Sequence, residues 1–413
     1  MLYACLLLYI TLIYVRPAEI VPGWERIPFV DILTVICFAI GIFSMAAKPR
    51  KILNLPQDKL ILAYWAIMLI SSFKVWLTGV YMAFLAFMPV VFAYFLIRAG
   101  VQSQRQLRGL IYLLMALNVF LAVNGIVQYH TGVGLGDVGL VLDRIYGTGI
   151  FNDPNDLGMT FVMSVPLFLF VIGRAGTGVI TRALSLAGLC AVMLALYYTN
   201  SRGAIVGLAA AMVCLALLRY KTVAGTIAAV ALLGVIVVAA PSRGSEMDAG
   251  ESSAQSRIQS WAEGWNMLKS NPLTGVGFDQ YLDHHIRVAH NSFVHTFAEL
   301  GLLGAFCFVG MFYWLFKGLN LLPQDTPESA AWRRALTASA VGLLTCGWFL
   351  SRQYVHIFYI MIAVGACAVT ISVPEKDQAR LRMTPGDVAA VVAWTVAGLL
   401  LVNISIRTLA IWG

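Results

Sequence analysis

One histidine and a small set of arginines have the types and spacing to do chemistry in this chain. His290 stands in Ala289-His290-Asn291-Ser292-Phe293, where Asn291 and Ser292 are good N-cap residues for the apolar stretch that follows. An imidazole held at such a helix start titrates near neutral pH and can take a proton from a hydroxyl. It can equally serve as an interfacial hydrogen-bonding group, and Asn291 can either cap the helix or steer the ring. Asp283-His284-His285 with His290 offers metal-ligand types. It has neither the helical i,i+4 pair nor the cysteine pair of a compact metal site, so solvated loop histidines are the plainer reading. Further on, His295 and Glu299 stand four apart on the same apolar stretch, a spacing that lets them pair.

Arginine supplies the complementary chemistry, because its planar fork gives two parallel charged hydrogen bonds to phosphate oxygens. Arg202 lies in the short turn Thr199-Asn200-Ser201-Arg202-Gly203, and Arg257 follows Ser256 at the start of an expected amphipathic helix. Arg144, Arg287 and Arg352 lie in other polar connections. Lipid headgroups are the competing partners for any such arginine. The segment Phe151-Asn152-Asp153-Pro154-Asn155-Asp156-Leu157 favours a turn, with Asn155 or Asp156 as helix cap or as a polar contact to a sugar. Pro272-Leu273-Thr274-Gly275-Val276-Gly277 lacks the lysine and the strand of a phosphate loop and reads as a turn.

The elements that must hold these residues are membrane spans. Of 413 residues, 60% are apolar and 12% charged, and the mean hydropathy is +0.81. That charged fraction is about half of what soluble domains carry, which excludes a soluble enzyme, a nucleic-acid-binding protein and a disordered chain. The composition predicts an all-α, polytopic membrane helix bundle, one membrane domain over 1–413. All seven cysteines lie inside apolar runs, so neither a disulfide framework nor a thiolate metal site is expected.

Thirteen candidate spans fall near 2–15, 29–46, 60–78, 79–97, 109–127, 159–173, 183–199, 203–218, 222–240, 293–316, 335–351, 357–373 and 388–406. With the N-terminus inside, inward loops collect 17 Lys and Arg, including Arg98, and outward loops ten, with Lys74 left as a midplane charge. This asymmetry sets the orientation and accounts for the net charge of +8. Two outward loops are long, 128–158 and 241–292. The second should carry an amphipathic helix from Ser256, with Ile258, Ala262, Trp265 and Leu268 on one face and Trp261 beside them, ended by Asn271-Pro272. Its tryptophans suit the headgroup region.

Four pieces of this chain occur in the order found in the bacterial O-antigen ligases and O-antigen polymerases, which it resembles over about 147–305. They are the 151–157 segment, Thr199 to Gly203, Arg257 to Trp261 leading into Pro272 to Gly277, and His290-Asn291 followed by Glu299-Leu300-Gly301-Leu302-Leu303-Gly304. The resemblance implies an integral-membrane glycosyltransferase of the GT-C type with about 12 spans, in the bacterial inner membrane, with 128–158 and 241–292 in the periplasm. It implies an undecaprenyl-diphosphate-linked glycan donor, a lipid A–core acceptor and inversion, with membrane lipids as surroundings and no metal, cofactor or nucleic acid. By motif match His290 takes the catalytic role and Arg202 and Arg257 face the diphosphate, with Asn155, Asn291 and Arg287 as substrate contacts. A polymerase would use a second lipid-linked glycan as acceptor. A transporter of lipid-linked glycans is the competitor outside catalysis, although transporters usually place their polar residues near the midplane.

Overall fold

The computed structural model describes residues 1–47, 52–220 and 247–409. The candidate span at 222–240 and the start of the 241–292 loop lie outside the described residues. Among these residues the fold is all-α, with two isolated β-bridges, Val133 with Gly139 and Val141 with Arg144. Eight helical stretches are long and apolar enough to cross a membrane, and Phe29–Phe43 and His356–Ser372 are shorter apolar helices.

The principal helices are α1 (Leu2–Val15), α2 (Phe29–Ala47), α3 (Pro56–Ser72), α4 (Trp76–Gly100), α5 (Gln104–Thr131), α6 (Pro154–Gly173) and α7 (Val179–Tyr198). They continue as α8 (Arg202–Tyr220), α9 (Met247–Ser270), α10 (Ser292–Asn320), α11 (Pro327–Phe349), α12 (His356–Ser372) and α13 (Pro385–Leu409). The sequence breaks the 56–100 run near 78. The structure turns earlier, at Phe73–Val75, with Trp76 in a left-handed conformation (φ 65°). Lys74 therefore lies in this turn at one end of the bundle. The midplane position expected for it is corrected by the earlier break.

Small residues set the closest helix contact. A Cβ at Gly207 of α8 would meet the Cys346 Sγ of α11 at 2.3 Å and the Gly342 carbonyl at 2.8 Å. In lipid, where apolar side chains gain little by leaving their surroundings, such close backbone approach is a main source of helix association. This seam brings Gly203, at the start of α8, against Phe349 at the end of α11. Arg202 and Arg352 are thereby held at the same end of the bundle.

A buried ion pair closes the opposite end. Arg98 Nε donates to Asp58 Oδ1 at 2.8 Å and Nη2 to Asp58 Oδ2 at 3.1 Å, with Tyr94, Asn54 and Thr370 completing the network. Arg98 is thus a buried clasp between α3, α4 and α12 and not the inward-loop cation expected from its position near the end of a span. Desolvated charges need this kind of complete pairing.

Candidate active site

Helix α10 begins with the cap the sequence predicts. Asn291 Oδ1 accepts from the backbone nitrogens of Phe293 at 2.9 Å and Val294 at 3.1 Å. The amide oxygen is committed to the cap, so steering of the imidazole by that atom is not what the residue does. Its Nδ2 is buried without a protein partner. Immediately before it, His290 adopts a left-handed backbone conformation (φ 48°), a costly state for a residue with a Cβ that surrounding contacts must hold. Those contacts are present. Trp261 Nε1 of α9 donates to the Ala289 carbonyl at 2.8 Å, and the Tyr281 hydroxyl donates to the Ser260 carbonyl. Ser292 Oγ donates to the Leu350 carbonyl at 2.6 Å and accepts from Arg352 N at 2.9 Å.

The two glycine-rich motifs turn out to be one structural unit. Gly301 (φ 64°, ψ −163°) interrupts α10, and the turn Pro272–Gly277 fits into the break. Val276 N and Gly277 N donate to the carbonyls of Ala298 and Glu299, both at 2.9 Å, while Leu302 N donates to the Pro272 carbonyl at 2.8 Å. A Cβ at Gly275 would lie 2.2 Å from the Glu299 carbonyl carbon, and one at Gly301 would lie 2.4 Å from that of Leu273. Only glycine fits either position. From the α3–α4 turn, Lys74 Nζ donates to Asn271 Oδ1 at 2.6 Å and to the Gly275 carbonyl. Glu299 Oε1 pairs with His295 Nε2 at 2.9 Å and Oε2 accepts from the Tyr354 hydroxyl at 2.8 Å. The i,i+4 pairing read from the sequence is present.

The 151–157 segment is tied to the same end. Asp153 caps α6, its Oδ1 accepting from Asn155 N at 2.7 Å. The expected caps, Asn155 and Asp156, lie within the first turn because Pro154 takes the first helical position. Asp156 accepts from Arg352 Nε, and Asp153 pairs with Arg352 Nη2 at 3.2 Å. Asn155 Oδ1 accepts from Ser201 Oγ at 2.7 Å and from Arg144 Nη2 at 3.1 Å. Its side-chain oxygen thus fixes the Asn200-Ser201-Arg202 turn, where Asn200 has φ 47°.

Electrostatics bring the named residues together. Burial lowers the pKa of Arg257, and the charge of Arg202 lowers it further. Desolvation holds His290 below the ordinary histidine value; Arg257, Arg352 and Arg287 push the same way and Asp153 opposes them. The imidazole is thus biased towards its neutral, proton-accepting form while keeping an exposed edge. Arg202 and Arg287 are exposed, as is His284. Among carboxylates that could compete as bases, Glu19 is occupied by Arg16 and Gly149 N, at 3.1 and 2.6 Å, and Asp153 by its cap and Arg352. Among the described residues no group of three or more His, Cys, Asp or Glu side chains is gathered as metal ligands would be.

One expectation about α9 changes. The helix runs from Met247, upstream of Ser256. Its half-buried tryptophans also pack on protein: Trp261 meets Trp348 and Trp265 meets Phe297, edge to face, with centroids 6.0 and 6.1 Å apart. The residues that sequence reasoning did not assign to the site are Arg352, Asp153, Trp261, Tyr281 and Lys74. Arg352 carried a signal, since an arginine in an outward loop runs against the charge rule. Trp261, Tyr281 and Lys74 form contacts too distant in sequence to read, and the pairing of Asp153 with Arg352 is equally distant.

Residues 183–309 match the family model described as O-antigen ligase. The match supports the superfamily of O-antigen ligases and polymerases. It covers less than half of the chain but includes Arg202, Arg257, His290 and both glycine motifs. Asn155 and Arg352 lie outside it. A search of curated proteins returns no match. The apolar helices and the family match together support a multi-pass membrane protein of O-antigen ligase or polymerase type.

Proposed function

We propose that this protein is an O-antigen ligase that moves a glycan from undecaprenyl diphosphate to a sugar of lipid A–core, at the periplasmic face of the bacterial inner membrane. One observation carries the reading. Arg202, Arg257 and His290 come from three separate segments that side-chain bonds tie to one end of the bundle: Trp261, one turn from Arg257, donates to the Ala289 carbonyl beside His290 at 2.8 Å, and Asn155, in the turn that Arg352 braces, accepts from Ser201 beside Arg202 at 2.7 Å. The acceptor hydroxyl attacks the anomeric carbon as its proton passes to His290, and the bond from that carbon to the diphosphate oxygen breaks. Attack from the face opposite the leaving group inverts the anomeric configuration. Negative charge grows on the diphosphate as it leaves, and fixed guanidiniums stabilise that charge best in the transition state. Arg202 and Arg257 thus do the work a divalent cation does elsewhere, and Arg287 at the exposed rim suits an anionic or hydroxylated part of the acceptor.

Purified full-length protein in detergent, given undecaprenyl-diphosphate glycan and lipid A–core, should yield glycosylated core lipid. Longer lipid-linked glycans formed from donor alone would instead assign a polymerase. Absence of any glycosyl product, with both substrates shown to bind, would favour a transporter.

A further inference from the structure

The connection between α11 and α12 seats the start of α10. Ser292 Oγ donates to the Leu350 carbonyl at 2.6 Å and accepts from Arg352 N at 2.9 Å, and Asn291 N donates to Ser351 Oγ at 3.3 Å. Three consecutive residues, Leu350, Ser351 and Arg352, thus fix the backbone that follows His290. The Arg352 side chain reaches the other way, to the 153–156 turn. Its Nε donates to Asp156 Oδ1, its Nη2 pairs with Asp153 Oδ2 at 3.2 Å, and its Nη1 donates to the Ser351 carbonyl at 3.3 Å.

That turn holds the segment of Arg202. Asp153 Oδ1 accepts from Asn155 N at 2.7 Å, and Asn155 Oδ1 accepts from Ser201 Oγ at 2.7 Å. Arg352 therefore stands between two halves of the site, with its main chain on the helix of His290 and its guanidinium on the turn that fixes Arg202. Each nitrogen of that guanidinium already has a protein partner, and the side chain is 28% exposed. A group so engaged holds protein segments together and has little left to offer a phosphate. Its planar fork spans two carboxylates, which the single nitrogen of a lysine cannot do.

We propose that Arg352 is the positioning residue of this site, fixing the turn of Arg202 and the helix start of His290 in one frame without itself touching substrate. The proposal rests on the glycosyltransferase reading, so part of its test does not need transfer. The charged groups that act on His290 are Arg257 from α9, Arg287 from the connection before α10, Arg352 from the connection after α11, and Asp153 from the turn before α6.

Diethyl pyrocarbonate modifies neutral imidazole, so the pH dependence of His290 modification, read by peptide mapping of the full-length protein in detergent, follows its titration directly. Arg352→Gln removes a positive charge and releases Asp153, and both changes favour the protonated ring. The titration should move up by about half a pH unit or more. Arg352→Lys keeps the charge, so the titration should stay in place, whereas the plateau rate of modification should rise severalfold as the seat under α10 slackens. In transfer assays on the pH plateau, Arg352→Lys and Asp156→Asn should each lower kcat about tenfold. Because both act through one bond, the double variant should lose about tenfold and not about a hundredfold.

A titration that does not move in Arg352→Gln, an unchanged plateau rate in Arg352→Lys, or additive losses in the double variant would overturn the proposal. Losses of kcat matched by equal losses of folded protein would make Arg352 a structural brace only, and would overturn it too. A parent protein that transfers nothing, while His290 responds to the variants as stated, would sink the ligase reading and leave the positioning role standing.

Discussion

The indole nitrogen of Trp261 donates to the carbonyl oxygen of Ala289 at 2.8 Å, joining helix α9 to the residue before His290. That bond holds the strained backbone from which the imidazole projects. Trp261→Phe keeps most of the ring packing on Trp348 and removes only the donor. Misplacing a catalytic group by a fraction of an ångström is costly, so kcat should fall roughly tenfold. Donor KM should change little, since neither arginine is touched. An unchanged kcat in a variant of normal thermal stability would show that His290 is held by other means.

His290 itself should control the acidic limb of the pH profile. On the proposed mechanism its neutral form is the base, so activity should rise as pH passes upward through its pKa. Because that pKa lies below the ordinary histidine value, the plateau should be reached at lower pH than for an unperturbed imidazole. Arg287→Gln removes one of the charges that depress it and should move the limb to higher pH. His290→Ala should bind donor and lose about 100- to 10,000-fold in transfer, whereas His284→Ala should remain active. The pH dependence of kcat/KM for the three variants checks all of this.

For the arginines, Arg202→Ala and Arg257→Ala should each cost about 2–4 kcal/mol of barrier. That corresponds to roughly 30- to 1000-fold in rate. Lysine keeps the charge without the fork, so Arg→Lys should recover only part. Prior treatment with a chelator should leave transfer intact. Activity lost to chelation and restored by zinc or manganese would transfer the electrophilic role to a bound ion.

The Arg98–Asp58 pair is expected to matter for stability and not for chemistry. Removing one partner leaves a buried charge uncompensated, which typically costs about 3–5 kcal/mol. Asp58→Ala should lower the detergent-solubilised Tm markedly, and the double change Asp58→Leu with Arg98→Met should recover most of it. The fraction that stays folded should keep the kcat of the parent.

What could be read from the sequence was local chemistry. The Asn291 cap, the His295–Glu299 pair and the stop at Asn271-Pro272 each depend on residues within one helical turn, and each is present. Composition and hydropathy gave the all-helical class for the same reason, since each span is its own signal. Contacts between distant segments left no such trace. Nothing near Gly301 announces that Pro272–Gly277 will fill its break, and nothing near Asp58 announces Arg98. The cap of α6 was misplaced by two or three residues because Pro154, at the first helical position, moves the cap to Asp153. Arg202, Arg257 and His290 were proposed from motifs; the bonds that tie their segments to one end of the bundle are visible only once the helices are packed.

The bond from Arg352 to Asp156 joins positions 196 apart in the chain. Membrane proteins are threaded from the N-terminus as they are made, and early segments fold first. A partly synthesised chain therefore exposes Asp153, Asp156 and Arg202 to the membrane surface well before His290 and Arg352 arrive. Until the residues after α11 are inserted, the nascent protein lacks Arg352, the cation that braces the 153–156 turn. The site end of the bundle is thus completed only when insertion is nearly finished, and a chain stalled upstream of Arg352 would keep Asp153 and Asp156 without their cation.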